Sequence, residues 1–152
     1  MKVTVAAIGK FKKSPAEAIF TSYIKRIPWK IELKELEAKK GLEGEQLKAA
    51  EAGLLLSAIP KSGKIIALDE RGKNISSVEL ADVISSWQSN GCSSVSFIIG
   101  GADGLNADMR KKADFILSFG KLTWPHMLIR PMLAEQIYRV HTIISGHPYH
   151  RE

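Results

Sequence analysis

The stretch Val95-Ser96-Phe97-Ile98-Ile99-Gly100-Gly101-Ala102-Asp103-Gly104 decides how the rest of the chain is read. Its first half is rich in β-branched and aromatic side chains and reads as a strand. Its second half holds three glycines within five residues. Glycine lets the backbone reach positive φ and approach a ligand closely. A strand that runs straight into such a turn belongs to an α/β domain, where ligands sit beyond the carboxyl ends of the strands. A tight strand-to-helix turn with no ligand accounts for the same residues, and both readings stand at this point.

Strand and helix signals alternate on either side. Towards the N-terminus, Lys2–Ile8 is apolar, stops at Gly9 and reads as a strand. Ser14-Pro15-Ala16-Glu17 opens a helix, with Ser14 as cap and Pro15 in the first turn. Ile19, Phe20, Tyr23, Ile24 and Ile27 form its apolar stripe, and Pro28 ends it. Ile31–Leu36 is a second strand. Glu43–Ala58 is rich in Ala, Leu, Glu and Lys and reads as a helix. Lys64–Leu68 is a third strand. Ser76-Ser77-Val78-Glu79 is a capping box before a helix whose stripe is Leu80, Ile84 and Trp87. Beyond the glycines come a short helix near Ala107–Ala113, a fifth strand at Phe115–Ser118, and a last helix with its stripe on Leu133, Ile137, Val140 and Ile144. This alternation predicts a mostly parallel sheet with helices on both faces. No linker or repeat interrupts it, so residues 1–152 are read as a single domain.

Composition narrows the function classes. The chain has 152 residues, 45% hydrophobic and 25% charged, an ordinary globular balance. No apolar run is long enough to span a membrane, and the N-terminus reads as a strand and not as a signal peptide. The single cysteine, Cys92, excludes an internal disulfide and a CxxC metal site, which suits a reducing, cytoplasmic setting. The formal charge of +6 and pI near 9.5 favour a polyanionic partner. Lys10, Lys12, Lys13, Lys25, Arg26 and Lys30 concentrate that charge near the N-terminus.

Three strand ends carry unusual chemistry: Leu68–Gly72, Ile99–Gly104 and Ser118–Pro125. In a parallel sheet all three lie on one edge and build one pocket. The glycine loop lacks GxGxxG and the GK[ST] of a phosphate loop, which argues against a nicotinamide oxidoreductase or a nucleoside triphosphatase. The Phe119–Pro125 loop combines backbone donors with Leu122 and Trp124, which suits adenine. Trp124 as a core plug is the competing reading. Asp69 reads as a ribose ligand or as a turn residue. Glu135 and Arg139 are four apart and form at least a helical ion pair, with Arg130 a turn earlier extending a charged face. The tail His147-Pro148-Tyr149-His150-Arg151-Glu152 concentrates titratable and aromatic groups where chain ends are ordinarily bland. No further ligands accompany its histidines, so no metal is expected. No GxSxG elbow marks a serine hydrolase.

Together, Ile98–Leu105, Leu117–His126, Arg130 with Glu135-Gln136-Ile137-Tyr138-Arg139, and Pro148-Tyr149-His150 resemble the ribosomal large-subunit pseudouridine N3-methyltransferases of the SPOUT class (the RlmH type). The resemblance covers essentially the whole chain. It implies a C-terminal trefoil knot and S-adenosyl-L-methionine held by Leu68, Gly100, Gly101, Phe119, Gly120, Lys121, Leu122, Thr123 and Trp124. It further implies a homodimer with an active site completed at the subunit interface, acting on 23S rRNA in the ribosome. The catalytic candidates are His150 as proton acceptor, Arg139 or Arg151 as anion stabiliser, Tyr149 against the base, and Glu135 beside Arg139. A catalytically inactive ribosome- or RNA-binding module of the same fold is the alternative. Pro131 stands where the family leads one to expect an ordinary apolar residue. Proline is tolerated in a first helical turn, which would start the last helix near Arg130.

Overall fold

The structure is a computed structural model and describes residues 1–151; Glu152 of the tail lies outside the described residues. Five parallel strands form one sheet in the order β2-β1-β4-β3-β5. They are β1 (Lys2–Ile8), β2 (Lys30–Leu36), β3 (Lys64–Lys73), β4 (Ser94–Ile99) and β5 (Phe115–Leu117). The helices are α1 (Pro15–Ile24), α2 (Gly44–Ala58), α3 (Ser77–Ser89), α4 (Ala107–Lys112) and α5 (His126–Ile144).

Alternate residues of each central strand feed two cores, as a strand period of two requires. Val3, Val5, Ala7, Val95, Phe97 and Ile99 face a layer that includes Phe20 of α1, Leu80 and Ile84 of α3, and Leu133, Ile137 and Val140 of α5. Ala6, Ile8, Ala67 and Ile98 face the other way, onto Leu55 of α2 and Met109 of α4. Both faces are covered, which is why β1 and β4 are apolar nearly throughout. The outer strand β2 carries Lys30, Glu32 and Lys34, whose side chains pair along the open edge. The capping signals also hold: Ser14 caps α1, and Ser76 with Glu79 closes a full capping box on α3.

Four local expectations are corrected. The third strand does not stop at Leu68. Leu117 of β5 pairs with both Leu68 and Lys73, so the intervening residues bulge out of the ladder and return. Gly72 makes this passage possible, because a Cβ there would lie 2.6 Å from the Ile116 carbonyl oxygen. The fifth strand ends at Leu117, although Ser118 still donates to the Lys73 carbonyl. The last helix begins at His126, so Pro131 lies inside it and not in its first turn. With no N–H at Pro131, the ladder bond to the Met127 carbonyl is lost; only the donors of the opening turn lack an intrahelical partner in any case. Finally, Ile19 and Ile144 are not core residues; they are 50% and 37% exposed.

Candidate active site

The three strand-end loops do meet at the carboxyl edge of the sheet. They line a cleft of about 230 Å³. Leu68–Arg71 comes from the β3 bulge, Ile99–Gly104 from the end of β4, and Leu117–Trp124 from the end of β5, with His126 and Ile129 of α5 closing one side. Of the expected cofactor residues, Leu68, Gly100, Gly101, Phe119, Gly120, Leu122, Thr123 and Trp124 all line it. Lys121 is exposed and does not.

The cleft walls are built mainly from backbone. Gly104 N–H donates to the Gly101 carbonyl at 3.0 Å, closing a tight turn with Gly104 at φ +75°. A Cβ on Gly100 would stand 3.0 Å from the Gly104 carbonyl carbon and from Leu105 Cδ2, and one on Gly101 would reach 2.7 Å from Glu51 Oε1. A side chain at either position has no free room: at Gly100 the Gly104–Leu105 backbone would have to give, and at Gly101 the Glu51 carboxyl would have to move. Across the cleft, Gly120 sits at φ +102°, Ser118 Oγ donates to the Gly120 carbonyl, and Trp124 Nε1 donates to the Phe119 carbonyl at 3.2 Å. Trp124 is not a core plug; like Leu122, it is exposed at the rim. Asp69 serves the bulge: its Oδ1 accepts from Arg71 N–H at 3.0 Å, and its carboxylate lies 3.6 Å from Arg110. Apolar rims around backbone donors and acceptors fit the adenosine of S-adenosylmethionine.

The C-terminal residues form a second cluster. Glu135 Oε1 accepts from Arg139 Nε at 3.0 Å and from the Tyr149 hydroxyl at 3.1 Å, while its Oε2 accepts from Gln136. The Tyr149 ring packs edge-on to Tyr138 at 4.7 Å, with Arg139 and Arg26 over its face. Burial, with the bonds to Tyr23 and Glu135, pushes the Tyr149 phenol up to about 12, so it stays protonated and donates at neutral pH. Glu135 holds the Arg139 guanidinium firmly charged. Arg139 Nη1 stands 3.4 Å from His150 Nδ1, and Arg151 is exposed. The tail is thus pinned to α1 and α5, and none of Tyr149, His150 and Arg151 lines the cleft.

Arg130 does not extend this charged face. It is fully buried and points the opposite way, donating to Glu35 Oε1 at 3.1 Å and to the carbonyls of Ile8 and Gly9. Between the two clusters lies an apolar groove of about 650 Å³, flanked by Ile19, Leu128, Pro131 and Met132 and reaching Glu135. It shares Leu117, Ser118 and Phe119 with the cleft.

Sequence reading missed His126 and Ile129 of the cleft and Glu51 behind it. His126 lines the cleft, and burial together with Arg130 lowers its pKa. Its position, first in a helix straight after the Phe119–Pro125 loop, was the available signal. Glu51 lies behind the glycine wall, and nothing local distinguishes it from the other glutamates of α2. Among the described residues, no group of His, Cys, Asp and Glu is placed to hold a metal, and no helix is long and apolar enough to cross a membrane.

Residues 1–150 match the family model described as "Predicted SPOUT methyltransferase". The chain is 50% identical over 151 residues to a protein of Paramagnetospirillum magneticum named "Ribosomal RNA large subunit methyltransferase H", with 99% of each chain covered. It is 48% identical to the protein of the same name from Rhodospirillum centenum, again over 99% of each. Among solved structures, a probable methylase family protein from Haemophilus influenzae superposes with a TM-score of 0.54 at 10% identity, covering 99% of this chain and 70% of that one. A putative methylase family protein from Neisseria gonorrhoeae gives 0.52 at 8%, covering 98% and 94%. These structural likenesses concern the fold alone, but the family model and the relatives span nearly every residue, and the chain belongs to the SPOUT methyltransferase family.

Proposed function

We propose that this protein transfers a methyl group from S-adenosyl-L-methionine to N3 of a pseudouridine in 23S rRNA of the assembled ribosome. The carrying observation is the cleft: three loops distant in sequence meet at one sheet edge, in a chain half identical to proteins named for large-subunit rRNA methylation. The inactive RNA-binding alternative gains no support, since the glycine wall and the Phe119–Trp124 loop are both intact.

When bound, S-adenosylmethionine supplies an activated methyl group. What remains for the chain is to orient the base, exclude water and handle the N3 proton. Alignment of this kind contributes on the order of 7–11 kcal/mol in favourable cases. His150 takes the proton, and Arg139 and Arg151 offset the charge of the resulting imidate. In its present pose the tail holds His150 Nδ1 3.4 Å from Arg139 Nη1, and His150 does not line the cleft. The acceptor role therefore requires the tail to turn when RNA arrives. Tyr149, tied to Glu135 and Tyr138, acts as the anchor of that movement and limits it.

The enzyme works as a cytoplasmic homodimer. Ile19 and Leu128, 50% and 48% exposed on the groove, support a face covered by a second subunit. The same pairing brings a partner's tail towards the cleft that its own subunit's tail does not reach. A C-terminal trefoil knot goes with this family reading. Calorimetry with S-adenosylmethionine and with NAD, followed by methyl transfer to purified ribosomes, tests the reading. Binding of NAD instead, or no transfer by a protein that binds the cofactor, refutes it. Light scattering that returns the 16.7 kDa monomer at micromolar concentration refutes the dimer.

A further inference from the structure

Glu51 is a buried acid with no role in the chemistry above. It lies in the middle of α2, on the same buried stripe as Ala52 and Leu55, and is 7% exposed. A carboxylate in such a stripe is costly unless it is paired, and no cation is paired with it. Its Oε2 is buried without any hydrogen-bond partner. What it does meet is the back of the glycine wall. Glu51 Oε1 and Oε2 would lie 2.7 and 3.0 Å from a Cβ at position 101, so the carboxyl is in contact with the Gly101 backbone. Burial pushes the Glu51 carboxyl up, the Gly101 backbone beside it opposes this, and Asp103 on the same loop adds to it.

We infer that Glu51 is a positioning residue for the cofactor: its carboxyl grips the Gly101 backbone from behind and sets the shape of the Gly100–Gly104 wall. This rests on the reading that the cleft binds S-adenosylmethionine. An apolar residue at position 51 would suit the helix–sheet packing equally well, yet it could not hold an N–H group. The glycine at 101 and the acid at 51 thus form one unit, in which the missing side chain makes room for the carboxylate.

The test is calorimetry with S-adenosylmethionine on the full-length protein, with thermal melting beside it. Wild type binds. Glu51→Ala binds at least tenfold more weakly, the scale of one lost hydrogen bond to a charged group. Thermal melting confirms that the variant is folded at the temperature of the titration. Glu51→Gln recovers affinity to within about threefold of wild type, since its carbonyl accepts from the same N–H. Gly101→Ala costs at least tenfold in the wild-type background, and in the Glu51→Ala background its further cost is below threefold, because the methyl enters the vacated space. With saturating cofactor, methyl transfer by Glu51→Ala keeps most of its rate, so the defect appears in KM and not in kcat. Wild-type affinity in Glu51→Ala overturns the inference, as do losses that simply multiply in the double variant. Should Glu51→Ala not fold, Gly101→Ala decides, and unchanged affinity there overturns it. Failure of the wild type to bind refutes the cofactor reading itself, a result distinct from any of these.

Discussion

Replacing Arg130 with methionine should destabilise the fold severely. The guanidinium is wholly buried over the Phe11 ring, 4.9 Å from its centroid. It donates to Glu35 Oε1 at 3.1 Å and, through Nη2, to the Ile8 and Gly9 carbonyls at 2.5 and 3.0 Å. Methionine keeps the packing on Phe11 but leaves both carbonyls without the guanidinium and Glu35 with only the Phe11 N–H. Removing one partner of a buried ion pair costs about 3–5 kcal/mol. The lower end applies, because the Glu35 side chain is 28% exposed and Arg130 Nε is itself buried without a partner. In a chain of this size each kcal/mol moves Tm by about 2–4 °C, so the expected fall is roughly 6–12 °C. Differential scanning calorimetry at matched protein concentration measures it. Adding Glu35→Gln should recover part of the loss, because the amide still accepts from Phe11 N–H and no carboxylate is stranded. A fall below about 3 °C, or a double variant less stable than the single one, would refute the reasoning.

Deleting Tyr149–Glu152 should cut methyl transfer to ribosomes at least a hundredfold, the lower range for losing acid–base help. Cofactor affinity by calorimetry should stay near wild type, and the lost Tyr149–Tyr138 contact should cost on the order of 1 kcal/mol in melting. Transfer at the normal rate would leave the chemistry to Glu135 and Arg139. Gly100→Val should weaken S-adenosylmethionine binding at least tenfold by pushing back Gly104 and Leu105; unchanged affinity in a folded variant would remove this wall from the site. Lys12 and Lys13, at φ 53° and 56°, are exposed in the segment that follows the carboxyl end of β1. Lys12→Glu with Lys13→Glu should weaken ribosome binding and flatten its salt dependence by about one unit of slope per lost phosphate contact. An unaltered slope would put the RNA surface elsewhere.

The alternation of strands and helices, the caps at Ser14 and Ser76 and the three cleft loops were legible in the sequence, because each is written in neighbours a few residues apart. Apolar runs of period two and stripes of period 3.6 carry their meaning locally, and in a parallel sheet every strand end falls on one edge. What a side chain meets across the fold is not written that way. Arg130 and Glu135 look alike as charged helix residues, yet one is enclosed by β1 and β2 and the other holds the tail. Ile19 belongs to the apolar stripe by spacing, but no element of its own chain covers it. Glu51 resembles any helical glutamate until β4 brings Gly101 against it. Local periodicity determines which face of an element turns inward; only the packing of elements far apart in the chain determines whether a partner waits there, and so whether a charge becomes a surface pair, a buried clamp or the backing of a cleft.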